Sequence, residues 1–287
     1  MSYVLSHPCA RSGLAAVSDL RSVEWRELFS TLEREQLRFL EHEPLFRSAE
    51  YTWPRDPLHE WSRCWEYPYT YYHLRGFAQV LSTGRRPIAV DVGCGVTFLP
   101  YALASLGYDV ICADTDPICG RDIAKATKLV PHAPGNVSFR GIMRQELPIA
   151  EGEADVVVCI SVLEHIPDCV ATVREIARIL APGGLLVLTM DIDLENDRGN
   201  GLGVESYRKV LVELLRYFEL AYPEVTVHPA DVLRSSNSIF PAQDVGSLLN
   251  PWFLIKQKLL KPLIGRRSGP IVEIGLVVQA FVMRRLK

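Results

Sequence analysis

The apolar run Ile88-Ala89-Val90, continued at Val92, breaks at Gly93-Cys94-Gly95 and leads at once into helix-compatible sequence over 98–105. A short apolar run that ends in glycines and enters a helix is a buried strand turning sharply into that helix. Glycines lack Cβ, so they reach unusual φ/ψ and let a ligand lie against the main chain. Free N–H groups at a helix N-terminus favour anionic parts such as a carboxylate. The turn is therefore expected to cradle a small molecule.

The sequence around this turn repeats one theme. Strands are expected at 88–92, 109–113, 136–140, 154–160 and 185–190, alternating with helices at 98–105, 118–129 and 170–180. Residues 154–160 are almost uninterruptedly apolar, as in a strand buried on both faces. Asp116-Pro117 is placed to open the second helix, with Pro117 in its first turn. The pattern predicts an α/β fold with a doubly wound, mostly parallel, seven-stranded Rossmann-like sheet and an antiparallel edge strand. The edge strands are expected over 225–233 and 274–283, a helix over 204–220, and a polar loop over 191–203.

The first 84 residues read differently. Trp25, Leu28, Phe29, Leu32, Leu37 and Leu40 recur at helical steps over 23–40, marking an amphipathic helix. Residues 51–77 then concentrate Trp53, Trp61, Trp65, Tyr67, Tyr69, Tyr71, Tyr72 and Phe77 among Arg63, Glu66 and His73, with three prolines interspersed. Rigid amphipathic rings at this density suit either a wall around an organic ligand or an aromatic shoulder packed on the core. The expected division is a helical, aromatic-rich lid over 1–84 and a ligand-binding domain over 85–287, with an insertion at 235–270. Within that insertion, 252–267 alternates Lys and Arg with leucines, as a solvated or surface-lying basic helix does.

Composition removes several classes of function. With 31 basic against 34 acidic residues and a formal charge of -3, the chain lacks the basic surface that phosphate backbones demand. Its seven cysteines form no Cys-x-x-Cys pair and read as reduced, buried thiols of a cytosolic protein. No stretch reaches the roughly 18 apolar residues of a membrane span, and the N-terminus lacks a signal-peptide core. A soluble, cytoplasmic protein is expected, without nucleic-acid partner or integral membrane segment.

An acid, Asp114, lies twenty-one residues after Gly93 at the end of the second strand, suiting a carboxylate that accepts hydrogen bonds from a ribose diol. A pyrophosphate fingerprint needs a third glycine where Phe98 stands, which argues against a nicotinamide dinucleotide. The ordered set Val90-Asp91-Val92-Gly93-Cys94-Gly95, Asp114, Ala154-Asp155-Val156-Val157-Val158 with Ser161-Val162-Leu163-Glu164-His165-Ile166-Pro167-Asp168, and Ile179-Leu180-Ala181-Pro182-Gly183-Gly184-Leu185-Leu186 resembles the class I S-adenosylmethionine-dependent methyltransferases of the small-molecule group. The resemblance covers residues 88–190.

It implies S-adenosylmethionine as cofactor. Main-chain atoms of Gly93, Cys94 and Gly95 would hold its methionine part, Asp91 its amino group, Ser161 through its carbonyl the same ammonium, and Asp114 with Thr115 the ribose. Asp91 could otherwise fix the loop, and Asp114 could cap a helix, a task that suits Asp116 equally. The sequence departs from the family at Thr97, where a third glycine is frequent, and at Ile142, where an acid often follows Gly141. Adenine is then expected against Ile142 and Met143.

A sulfonium leaves as a neutral thioether, so alignment does most of the work and a base is needed only for a protonated acceptor. His165 is the first candidate base and Asp191, with Asp193, the second. The two aspartates could instead bind Mg2+, although no metal is expected. The implied activity is methylation of oxygen or nitrogen of a small metabolite, the alternative being a cofactor-binding scaffold without transfer. The expected partners are a small-molecule methyl acceptor and, at most, a second copy of the chain. No Asn-Pro-Pro-Tyr-like signature follows the fourth strand, which disfavours nucleobase or glutamine acceptors.

Overall fold

Residues 7–80, 84–194, 201–240 and 275–287 are described by the computed structural model. The chain first lays down a two-residue strand, β1 (Gly13–Leu14), and two helices, α1 (Val23–Phe46) and α2 (Arg63–Val80). An alternation follows through β2 (Ile88–Val92), α3 (Leu99–Ser105), β3 (Asp109–Asp114), α4 (Pro117–Ala126) and β4 (Asn136–Gly141). It continues with β5 (Ala154–Ile160), α5 (Cys169–Ile179) and β6 (Leu180–Asp193). Then come β7 (Leu202–Gly203), α6 (Val204–Tyr217), β8 (Phe218–Leu220) and β9 (Val277–Arg285).

Seven strands run in the order β1-β9-β6-β5-β2-β3-β4, with β7 paired to β6 and β8 to β9. β2 to β6 are mutually parallel, and β9 lies antiparallel to β6. The expected mixed sheet is therefore present. Val156, Val157, Val158 and Cys159 in β5 are fully buried, because helices cover both faces as parallel strands require. One face carries the core built with α1 and α2, the other the core built with α5 and α6. Strand order reverses between β2 and β5, and the crevice beyond the carboxyl ends of such strands is where ligands bind.

The far side of the sheet departs from the sequence reading. Residues 225–233, expected as a strand, form an irregular segment with a short turn at Pro229–Asp231 and isolated bridges such as Ala16 to Val232. Pro229 has no N–H to donate, and the outer edge of β9 is already taken: β8 pairs at Met283 to Arg285 and β1 at Gln279 and Ala280. That pairing also ends α6 at Tyr217, short of the expected 220. Asp191 and Asp193 sit on β6 rather than in a polar loop, because β6 runs on to Asp193 beside β9 and β7. At its start Leu180 faces Ala154 and Leu185 faces Val156, so Ala181 to Gly184 loop out, with Gly183 at φ 78°. The 252–267 segment and most of the 235–270 insertion lie outside the described residues.

Arg63–Val80 of the aromatic segment form a helix despite Pro68. Within α2, Pro68 leaves the Cys64 carbonyl without its usual helical donor. The Trp25 indole N–H of α1 donates to it instead at 2.9 Å. Trp65 and Tyr69 stack at 4.6 Å between ring centres, and their polar ends donate to Asp19 at 2.8 Å and to the Arg11 carbonyl at 2.7 Å. Most of these rings are therefore core, whereas Trp53, Trp61 and Tyr67 line the crevice. The seven cysteines are all free and buried, and no helix among the described residues is long and apolar enough to cross a membrane.

Candidate functional site

A cavity of about 490 Å³ opens beyond the carboxyl ends of β2, β3, β5 and β6. It gathers Asp91, Gly93, Cys94, Gly95, Asp114, Thr115, Ile142, Ser161, His165 and Asp191 on one wall system. Met143 stands apart: it is 77% exposed and borders a shallower depression beside Gly141 and Arg121.

The glycine turn is shaped by close neighbours. Gly93 has φ 69°, and a Cβ there would stand 2.5 Å from a Val162 methyl. Gly95 has φ 54°, with the Tyr51 hydroxyl 2.7 Å from where its Cβ would be. The N–H groups expected to be free are engaged within the protein. Gly93 donates to the Ala113 carbonyl at 2.7 Å, Gly95 to Asp114 Oδ2 at 3.0 Å and Val96 to the Tyr51 hydroxyl at 2.7 Å. Asp114 also accepts the Asp116 N–H at 2.9 Å, while Asp116 caps α4 by accepting from Ile118 at 2.8 Å. Capping thus falls to Asp116. Each Asp114 oxygen keeps a second lone pair for a ligand hydroxyl.

Beneath the turn the cavity floor is acidic. Asp91 is 5% exposed, and none of the described residues donates a hydrogen bond to its carboxylate. Burial first, then the Asp114 carboxylate, push its pKa up to about 7, with Arg63 opposing. Burial also lifts Glu164 to about 7 and, together with the Glu164 and Glu66 carboxylates, holds Asp191 well above the ordinary range. The Asp191 N–H donates to Glu164 Oε1 at 3.1 Å, while Glu164 Oε2 is buried without a partner among the described residues. Glu66, completely buried on α2, is by contrast satisfied by Arg63, by Ser161 Oγ at 2.6 Å and by Thr189 Oγ1 at 2.5 Å. Ser161 itself is held at φ 46°.

Raised carboxyl pKa values mean that the folded protein binds protons more tightly than the unfolded chain. That contribution is complete below the ordinary carboxylate range and is lost as pH rises through the folded value, a window of about pH 4 to about pH 7 for Asp91. Melting curves of the ligand-free protein should therefore fall by several degrees across that window, and Asp91→Asn should flatten the fall. An equally steep pH dependence in the variant would mean that Asp91 is not its source.

His165 is exposed at the rim, with its ring 6.4 Å from that of Trp53. Burial and then Arg63 lower its pKa, so it is neutral at pH 7. Asp193 is buried but does not line the cavity. Among the described residues no group of three or more His, Cys, Asp or Glu is arranged to hold a metal ion. Sequence reading placed Arg63 and Glu66 only among the rings of a possible ligand wall and Glu164 only within the family motif, and it assigned no role to Glu60 or Tyr51. The signal available was Arg63 and Glu66 three apart beside the apolar pair Trp65 and Tyr69, a helix with one charged edge.

Residues 90–188 match a family model described as a methyltransferase domain. A ubiquinone biosynthesis O-methyltransferase of Xanthomonas campestris pv. campestris (strain B100) is 35% identical over 114 residues, 39% of this chain and 45% of that protein. The protein of the same name from Psychrobacter arcticus is 37% identical over 106 residues, 35% of this chain and 39% of its own. The chain thus spans less than half the length of either relative. The crystal structure of the cyclase SpnF superposes with a TM-score of 0.52 at 17% identity, over 96% of this chain and 99% of that one. At that identity the likeness shows the fold alone.

Proposed function

We propose, given that residues 90–188 form a class I S-adenosylmethionine-dependent methyltransferase domain, that this chain methylates oxygen or nitrogen of a small-molecule acceptor. The observation that carries the reading is Asp91: a buried carboxylate without a donor among the described residues, beside the glycine turn, fits the ammonium of the cofactor's methionine part. An unpaired buried charge is costly, and an incoming cation removes that cost.

When bound, the cofactor supplies a methyl group on a sulfonium that leaves as a neutral thioether. The chain's own groups bind and orient. Asp91 and the Ser161 carbonyl take the ammonium, Gly93, Cys94 and Gly95 let the methionine part lie against the main chain, and Asp114 with Thr115 takes the ribose. Ile142 borders the adenine place, with Met143 on the exposed lip next to it. Alignment of this kind supplies on the order of 7 to 11 kcal/mol. On this reading Asp191 and His165 are the groups that accept a proton from the acceptor.

Titration calorimetry with S-adenosylhomocysteine tests the reading, and the absence of binding removes it. Asp114→Ala is expected to weaken that binding by about 1.5–3 kcal/mol, the worth of a charge-assisted hydrogen bond. Unchanged affinity would move the ribose elsewhere.

A further inference from the structure

The cavity wall is one-sided in charge. Glu60, Asp91, Asp114, Asp116 and Asp191 line it against one guanidinium among the described residues, Arg63, with His165 neutral. Arg63 is already paired with Glu66. Asp114 and Asp116 accept backbone N–H groups, and on the reading above Asp91 takes the cofactor's ammonium.

That leaves Asp191, 8% exposed and facing the cavity. The nearest hydroxyl, Ser161 Oγ, stands 3.4 Å from Asp191 Oδ1 but 2.6 Å from Glu66 Oε1. A hydroxyl has one proton to donate, and the shorter partner takes it. Among the described residues Asp191 Oδ1 is thus left with at most this one long hydrogen bond and Oδ2 with none. The carboxylates beside it, Glu164 and Glu66, add negative charge, which Arg63 only partly offsets because it is paired with Glu66. On the same wall Trp61 is present and Trp53 keeps 59% of its surface in solvent. Indole faces attract cations.

We propose that the methyl acceptor is a cationic amine for which Asp191 is the counter-charge and proton acceptor. This deepens the methyltransferase reading and rests on it. An N–H proton of the bound ammonium passes to the Asp191 carboxylate, and the freed nitrogen lone pair forms the N–C bond to the methyl carbon. As the C–S bond breaks its electron pair stays on sulfur, and the positive charge ends on the methylated nitrogen. An acceptor bearing a carboxylate or phosphate at this position meets Glu60 and Asp191 and is rejected.

The test uses the protein saturated with S-adenosylhomocysteine and three probes of one shape: benzylammonium, benzyl alcohol and benzoate. Calorimetry is expected to give benzylammonium an affinity at least about tenfold above the other two. Asp191→Asn should abolish that preference while S-adenosylhomocysteine still binds, which also reports that the variant is folded. Benzylammonium binding no tighter than benzyl alcohol, or not at all, overturns the amine assignment and leaves the methyltransferase reading standing. Failure to saturate with S-adenosylhomocysteine overturns that reading itself.

Discussion

Replacing Glu66 with alanine is expected to lower the melting temperature by roughly 10 °C. Removing one partner of a buried ion pair costs about 3–5 kcal/mol, and in a chain of this size each kcal/mol moves the transition by about 2–4 °C. Glu66 is completely buried and gathers Arg63, Ser161 and Thr189 from three different elements. Its loss strands a guanidinium and two hydroxyls together. It also frees Ser161 from a left-handed backbone conformation at φ 46°, so S-adenosylhomocysteine affinity should fall with stability. The double variant Arg63→Met/Glu66→Leu separates charge from volume. It removes both ions while filling their space, and should melt several degrees above Glu66→Ala. If the double variant melts lower still, the pair is not what costs the single variant its stability.

Glu66 also marks the limit of what could be read without coordinates. The strands were legible because a parallel sheet covered on both faces leaves continuous apolar runs, as at 154–160. The ligand edge was legible because glycines and acids fall where those runs stop. The individual cofactor positions came from the family resemblance rather than from spacing; Asp191 was read as loop because its strand extends by pairing with β9, a partner far along the chain. The acidic floor was not legible. Glu66 reaches Ser161 across 95 positions and Thr189 across 123, and Pro68 disguised the helix that carries it. The Cys64 carbonyl freed by that proline is satisfied by Trp25, 39 positions away. Strands of two or three residues such as β1 and β8 are set by a vacant edge, and no periodicity announces them.

The largest kinetic effect is expected at Asp191. A positioned base contributes about a hundred- to ten-thousandfold to rate, so Asp191→Asn should lower kcat within that range while S-adenosylhomocysteine affinity is retained. His165→Ala should cost far less. The imidazole sits at the exposed rim against Trp53, whereas Asp191 is 8% exposed and anchored by its own N–H to Glu164 at 3.1 Å. The pH profile gives an independent readout. A base works deprotonated, and burial with the Glu164 and Glu66 carboxylates raises the Asp191 pKa while Arg63 opposes it. In the unmodified protein kcat should therefore rise with pH through that elevated value, and the rising limb should vanish in Asp191→Asn. Glu164→Gln removes one of the two carboxylates that raise the Asp191 pKa, so it should shift the limb to lower pH without erasing it. A limb that survives Asp191→Asn but disappears in His165→Ala would transfer the proton-accepting role to the histidine.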